Sequence, residues 1–482
     1  MASLRSLLKS EDWMSLWVGL LLFTLSLGLL VGADILGWAV KTNVWVSAGE
    51  ALQPVSDNYA GLGGGPSLVL TFLFLLILMT LAARGLEAHV PRFMFGFTVI
   101  FAVSYLCWFF GHYGYIAATP DRLDELGIGW SMNLTGEAGY ILALLVGLMV
   151  GNFFPKTANK IAEATKPELF IKIAIVVMGL GLGVKAVDAL DLASAVIFRG
   201  LCAIVEAYLI YWAVVYFIAR KYFKFSKEWA APLASGISIC GVSAAIATGG
   251  AIRARPVIPI MVSSLVVIFA VVELVVLPFA AQAFLTHEPM VAGAWMGLAV
   301  KTDGAAVASG AITDALIRAK AIEVMGVEWA EGWILMATTT VKVFIDIFIG
   351  VWAFVLAILW VTVIDREKGE KVRLVEIWDR FPKFVLGYVL TFVIILVLVI
   401  LVPNLLEPSR AAASEANVFR QLFFAMTFFA IGVVSNFRKL WEEGIGRLAA
   451  IYAICLFGFI IWVGLAISWV FFHGVTPPVV TG

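Results

Sequence analysis

Lys301, Thr302 and Asp303 put an ammonium, a hydroxyl and a carboxylate side by side within the otherwise apolar segment 290–312. A charge at the centre of a bilayer costs at least about 2.5–3.5 kcal/mol on insertion scales. A membrane segment that carries two of them is expected to use them. Lys301 suits attraction of an anion. Asp303 suits uptake of a proton or a sodium ion, which would supply coupling. Residues i and i+2 of a helix do not face each other, so joint action needs an unwound turn before Gly304. The competing reading is a buried ion pair that only sets packing.

A second unusual stretch, 231–252, carries Gly236, Gly241, Gly249 and Gly250 among Ser235, Ser238, Ser243 and Thr248. Glycine inside a helix costs about 1 kcal/mol. At a helix break, hydroxyls and freed backbone N–H groups face outward, and the N-terminus of a half-helix carries partial positive charge. Ser238, Gly241 and Ser243, with Lys301 and Thr302, therefore form the candidate substrate-binding set. Close helix packing through small residues is the alternative.

Lys342 and Asp346 stand at i and i+4 of one apolar segment and share a face. Asp346 joins Asp303 as a candidate coupling-ion residue. Lys342 either pairs with Asp346 or lines the pathway, and Thr338, Thr339 and Thr340 precede it. Glu206 and Glu273 are lone acids in apolar segments and further candidates. Asn152 and Asn436 read as helix caps.

Enzyme readings have less support. His287-Glu288 is followed by Pro289, Met290 and Val291, so there is no HExxH zinc motif, and there is no phosphate-binding glycine loop. Cys107, Cys202, Cys240 and Cys455 lie in apolar segments without paired spacing and read as small core residues, so neither disulfide, metal nor cofactor is expected. The net charge of zero gives no case for nucleic acid.

The elements that must position these residues are membrane helices. The chain is 62% hydrophobic and 14% charged, with a mean hydropathy of +1.00, against about 45–50% and about 25% in soluble domains. At about 20 apolar residues per crossing, roughly thirteen spans are expected. They are 12–34, 67–84, 93–117, 138–153, 169–190, 194–219, 231–252, 256–284, 290–312, 333–363, 382–403, 419–437 and 447–473. The two glycine-broken stretches either cross or fold back as re-entrant segments. Lys and Arg concentrate in the loops on the side of the N-terminus, which predicts a cytoplasmic N-terminus. The first apolar run lacks a clear cleavage site and reads as an uncleaved helix.

Segments 169–220 and 421–473 repeat one order: a Gly-containing apolar helix, a charged turn, a long apolar helix. Such similarity between halves marks inverted-repeat transporters. The division expected is an N-terminal extension of about three helices over 1–137, a first half over 138–290 and a second half over 291–482.

The run Gly236-Ile237-Ser238-Ile239-Cys240-Gly241-Val242-Ser243-Ala244-Ala245 resembles the signature of the sulfate-exporter (YeiH-type) membrane protein family. Trp295 to Gly310, Ala337 to Lys342, and Phe381-Pro382 to Gly387 are similar to further elements of that family. The resemblance covers about 138–473. It implies membership of the cation–proton antiporter and anion transporter superfamily, with unwound crossing helices and alternating access. Two departures stand out. Lys301 and Thr302 occupy the places of a usual His-Asp pair, with Asp303 one residue later, and Ile345 replaces a usual basic residue.

The sequence thus describes an all-α polytopic plasma-membrane protein, a secondary-active transporter of a small anion such as sulfate, an organosulfonate or a carboxylate. Coupling is to H+ or Na+, and a homo-oligomer is a further candidate. A cation/proton exchanger using Asp303, Asp346 or Glu273 is the runner-up, and an anion channel follows.

Overall fold

A computed structural model of the chain describes residues 9–118, 122–132, 134, 136, 138–188, 190–201, 205–252, 254, 255, 257–360, 382–435 and 446–480. Each apolar stretch named above is mainly helical where it is described. Among the described residues, nine helices are long and apolar enough to cross a membrane. The count rises to ten if Ala138–Phe153 and Pro155–Ala164, bent by 111°, form one span. The expected thirteen is not reached, and the broken stretches are part of the reason. The first divides into helices of 9, 5 and 11 residues, Lys227–Ser235, Gly236–Cys240 and Gly241–Ala251. The second gives the 11-residue helix Pro289–Ala299 before Asp303–Met325 begins. Among the described residues, a short antiparallel pair of strands, Val40–Thr42 with Leu52–Pro54, lies outside an all-helical reading.

The chain folds into two compact units, each drawn from several parts of the sequence. The first comprises Met1–Ala193, Ala319–Glu328 and Lys383–Ser435; the second comprises Ser194–Arg318, Trp329–Pro382 and Asn436–Gly482.

In the first unit, helix Glu11–Ser26 starts at Ser10, whose Oγ accepts the Trp13 N–H at 3.2 Å. Its first-turn acids are tied to the start of helix Pro167–Asp188: Glu11 to Lys166 and Asp12 to Lys172, each at 2.7 Å. Gly19 lies directly on Val176 of that helix. The N-terminal helix is thereby integral to this unit. Thr391 of helix Lys383–Leu401 donates to Val176 O at 2.8 Å. In the loop after the first helix, the Asp34 carboxylate accepts from Gly37 N–H (2.8 Å), Ser56 Oγ (2.6 Å) and Asn58 Nδ2 (2.8 Å). Burial pushes the Asp34 pKa up, but these donors outweigh it and hold it below the usual carboxylate value.

Helices Ala138–Phe153 and Leu406–Val434 cross at backbone contact. A Cβ on Gly147 would lie 2.2 Å from Phe429 O, and one on Gly432 would lie 2.5 Å from Leu144 O. Small residues at such a crossing let two helices approach in a lipid environment, where dispersion contacts rather than hydrophobic exclusion hold them together. Just beyond it, Asn152 Nδ2 donates to Leu148 O and Ser435 O, both at 2.9 Å, and so caps two helix ends. Asn436 lies outside the described residues.

Gly147→Leu should therefore destabilise the protein through overpacking, by about 1–3 kcal/mol or more, since the obstacle is backbone. Thermal melting of the detergent-solubilised protein checks this. A melting temperature unchanged by Gly147→Leu would show that the crossing is looser than described.

Candidate functional site

The second unit contains both broken stretches, and their breaks meet. In the first, a π-helical turn over Gly236–Cys240 ends at Gly241, whose φ of 13° and ψ of −95° interrupt the helix. In the second, Val300 is extended (φ −80°, ψ 125°), and the next helix begins at Asp303. A Cβ on Gly241 would lie 3.1 Å from Thr302 Cγ2. The half-helices Gly241–Ala251 and Asp303–Met325 thus start beside each other.

Helix Trp333–Ile347 runs behind the breaks. It approaches Pro289–Ala299 at backbone contact through Gly293, opposite Ile334 O, and Gly297, opposite Thr338 O. Thr338 Oγ1 donates to Gly293 O at 2.7 Å, and Thr339 Oγ1 to Leu335 O at 2.9 Å. These hydroxyls serve packing. The start of this helix is capped from outside itself: Asp314 Oδ1 accepts the N–H groups of Gly332 (3.0 Å), Ile334 (3.1 Å) and Leu335 (3.3 Å). Arg318 Nε donates to Asp314 Oδ2 at 2.8 Å.

So placed, Lys342 reaches both breaks. Its Nζ donates to Ile239 O at 3.0 Å and to Lys301 O at 3.1 Å. A helix break leaves carbonyls without their i+4 donors, and Lys342 satisfies one on each side. Its ion pair is with Asp303 Oδ1 at 3.6 Å. Cys240 Sγ donates to the same oxygen at 2.6 Å. Ligand atoms of Cys240, Asp303 and Asp346 all lie within 4.8 Å of one another. All four residues are buried. Lys342 is therefore bound to the breaks and to Asp303, and the simple i,i+4 pair with Asp346 is not its arrangement.

Lys301 turns the other way, away from Asp303. Its Nζ donates to Leu298 O and lies over the Tyr211 ring, 4.5 Å from the centroid. Its backbone N–H donates to Glu273 Oε2 at 3.0 Å. Glu206 is fully buried nearby, and Gly464 leaves room for Tyr211 Oη and Glu206 Oε1. Two further helices supply this side, and both contain a π-helical turn, Val205–Tyr211 and Leu456–Ile460. Such turns leave carbonyls available. Tyr211 Oη donates to Ile460 O at 2.7 Å, and Trp295 Nε1 to Ile461 O at 2.9 Å. Glu273 also forms the polar end of an apolar cavity of about 400 Å3, walled by Leu277, Phe284, Trp295, Phe457 and Trp462.

The structure thus brings Gly241, Thr302, Asp303, Lys342 and Asp346 together, and sets Lys301 with Glu206 and Glu273 beside them. Thr302 Oγ1 accepts the Ala305 N–H at 3.2 Å, capping the half-helix. Ser238 is fully buried, and its Oγ has no hydrogen-bond partner among the described residues. The Ser243 side chain lies outside what is described. Ser235 and Thr248 bond each other at 2.7 Å. Sequence reasoning missed Cys240, Tyr211 and Asp314. For Cys240 a signal existed, since it directly precedes the glycine at which the helix breaks. Nothing in the sequence marks Tyr211 or Asp314.

Removing Lys342 leaves the buried Asp303 carboxylate without its counter-ion and two carbonyls without their donor. Lys342→Met should lower the melting temperature sharply, equivalent to about 3–5 kcal/mol. Adding Asp303→Asn should recover part of that loss, because the uncompensated charge goes with it. Strictly additive losses in a double-mutant cycle would show that the two groups are not coupled.

The comparisons agree with a membrane protein of this kind. The family model described as Conserved hypothetical protein 698 matches residues 130–451. A UPF0324 membrane protein of Nitrosomonas europaea is 43% identical over 475 residues, 98% of this chain and 97% of that protein. An uncharacterized protein of Archaeoglobus fulgidus is 54% identical over 165 residues, 30% of this chain and 88% of that protein. A UPF0324 membrane protein of Rhodopirellula baltica is 29% identical over 422 residues, 86% of this chain and 68% of that protein. No solved structure matches. With both the matching model and a full-length relative in hand, the chain belongs to the UPF0324 membrane protein family, whose model is Conserved hypothetical protein 698.

Proposed function

We propose that this protein is a secondary-active transporter of a small anion, coupled to H+ or Na+ and working by alternating access in the plasma membrane. The N-terminus is on the cytoplasmic side in this reading. One observation carries it: two half-helices begin at the same buried place, beside Lys342 and Lys301. Half-helix N-termini near the middle of a membrane suit anionic groups. Ser238, Gly241, Ser243, Lys301 and Thr302 are the proposed substrate contacts, with Asp303 and Asp346 as the coupling pair. Glu206 and Glu273 set the charge around Lys301. The sulfate-exporter resemblance makes sulfate, an organosulfonate or a carboxylate the first substrates to try. The matching π-helical turns in the helices around 205–211 and 456–460 support an inverted repeat relating the halves 138–290 and 291–482.

A second reading has its own observation. The close approach of Asp303 and Asp346 would equally serve a cation/proton exchanger, in which Lys342 is an internal counter-ion.

Flux into proteoliposomes separates these. Labelled sulfate and candidate anions should enter the wild-type protein under an imposed pH or sodium gradient, and Lys301→Met should reduce uptake at least about tenfold, the equivalent of about 1.4 kcal/mol. Uptake by Lys301→Met equal to wild type removes the role of Lys301. Uptake independent of any gradient removes the coupling. Proton movement driven by a cation gradient without anion flux would favour the exchanger.

A further inference from the structure

We propose that Cys240, Asp303 and Asp346 form a binding site for a thiophilic divalent cation of the Zn2+ and Cd2+ class. This goes beyond the transport reading, which uses the two carboxylates and gives the thiol no role.

The geometry comes first. The thiol sulfur and one oxygen from each carboxylate lie within 4.8 Å of one another. Zinc takes thiolate sulfur at about 2.3 Å and carboxylate oxygen at about 2.0–2.2 Å, which sets tetrahedral ligand atoms about 3.5 Å apart. To meet that spacing Cys240 Sγ and Asp303 Oδ1, now 2.6 Å apart, separate by about 1 Å as the thiol proton leaves. Three protein ligands leave a fourth position open, as in zinc sites that exchange a water or a solute.

Asp346 supplies an independent observation. It is 1% exposed, and although its carboxyl group also bonds Asp303 and Cys240, its Oδ1 has no hydrogen-bond partner among the described residues. Leaving a buried carboxylate oxygen unsatisfied costs about 1–3 kcal/mol or more, and a bound cation would relieve it.

Charge then selects the ion. Two carboxylates and a thiolate carry three negative charges, and the Lys342 ammonium offsets one. Two remain, which matches a divalent cation. Lys342 does not occupy the ligand positions: its hydrogen bonds go to Ile239 O and Lys301 O, and it stands 3.6 Å from Asp303. A sulfur ligand favours zinc and cadmium over magnesium and calcium, which prefer oxygen alone. On binding, the Cys240 S–H bond breaks, a sulfur–metal bond forms, and the proton leaves to water.

Cadmium titrated into the purified full-length protein in detergent tests this. A cadmium–thiolate charge-transfer band should grow in the ultraviolet and saturate near one ion per chain by equilibrium dialysis, with proton release in weak buffer. Cys240→Ser should abolish the band, while Cys107→Ser, Cys202→Ser and Cys455→Ser keep it. Asp346→Asn retains every thiol and should weaken cadmium binding at least about tenfold. Cadmium should also raise the wild-type melting temperature, because an ion bound to the folded state stabilises it. No band after equilibration, a band that survives Cys240→Ser, or unchanged affinity in Asp346→Asn each overturns the site. A wild-type protein that carries anion flux but binds no cadmium counts against this site alone; flux absent with binding intact counts against the transport reading alone.

Discussion

The Lys342 ammonium closes two open helix ends at once. Its hydrogen bonds to Ile239 O and Lys301 O take one freed carbonyl from each broken stretch. In water such carbonyls would be solvated at little cost. In a buried site they need a donor from the protein. An ammonium has three protons and no acceptor, so one side chain can serve both breaks and still face Asp303. The interruption of two helices, each unfavourable alone, becomes tolerable because one cation satisfies both.

This arrangement separates the buried charges into two neighbouring groups. Asp303, Asp346, Cys240 and Lys342 lie on one side, and Lys301, Glu206 and Glu273 on the other. The backbone links them, because Lys301 gives its carbonyl to Lys342 and its N–H to Glu273. The two groups thus hold the two peptide units that flank one residue. In the proposed transporter this is the element biased from two places.

Close packing supports both units in the same manner, by letting helix backbones touch. Gly147, Gly151 and Gly432 do this in the first unit, and Gly293 and Gly297 in the second. In the second unit the result bears directly on the site. Backbone contact at Gly293 and Gly297, together with the Asp314 cap, fixes the register of Trp333–Ile347 and so the reach of Lys342. Several small residues in the broken stretches thus serve packing, while Gly241 serves the break itself.

Composition alone determined the membrane class, because a chain this apolar cannot be a soluble domain. Hydropathy placed the helices, and the glycine and charge content of 231–252 and 290–312 marked where they would break, since both features are costly and local. Partner choice was not legible. Cys240 and Asp303 are 63 residues apart, and Ile239 and Lys342 are 103 apart; no local rule of spacing relates them. The sequence put Lys301 beside Asp303 and Lys342 beside Asp346. The tertiary structure paired Lys342 with Asp303 and turned Lys301 toward Tyr211. The reason is that an unwound turn points successive side chains in opposite directions, and which neighbours wait there is decided by helices packed from elsewhere in the chain.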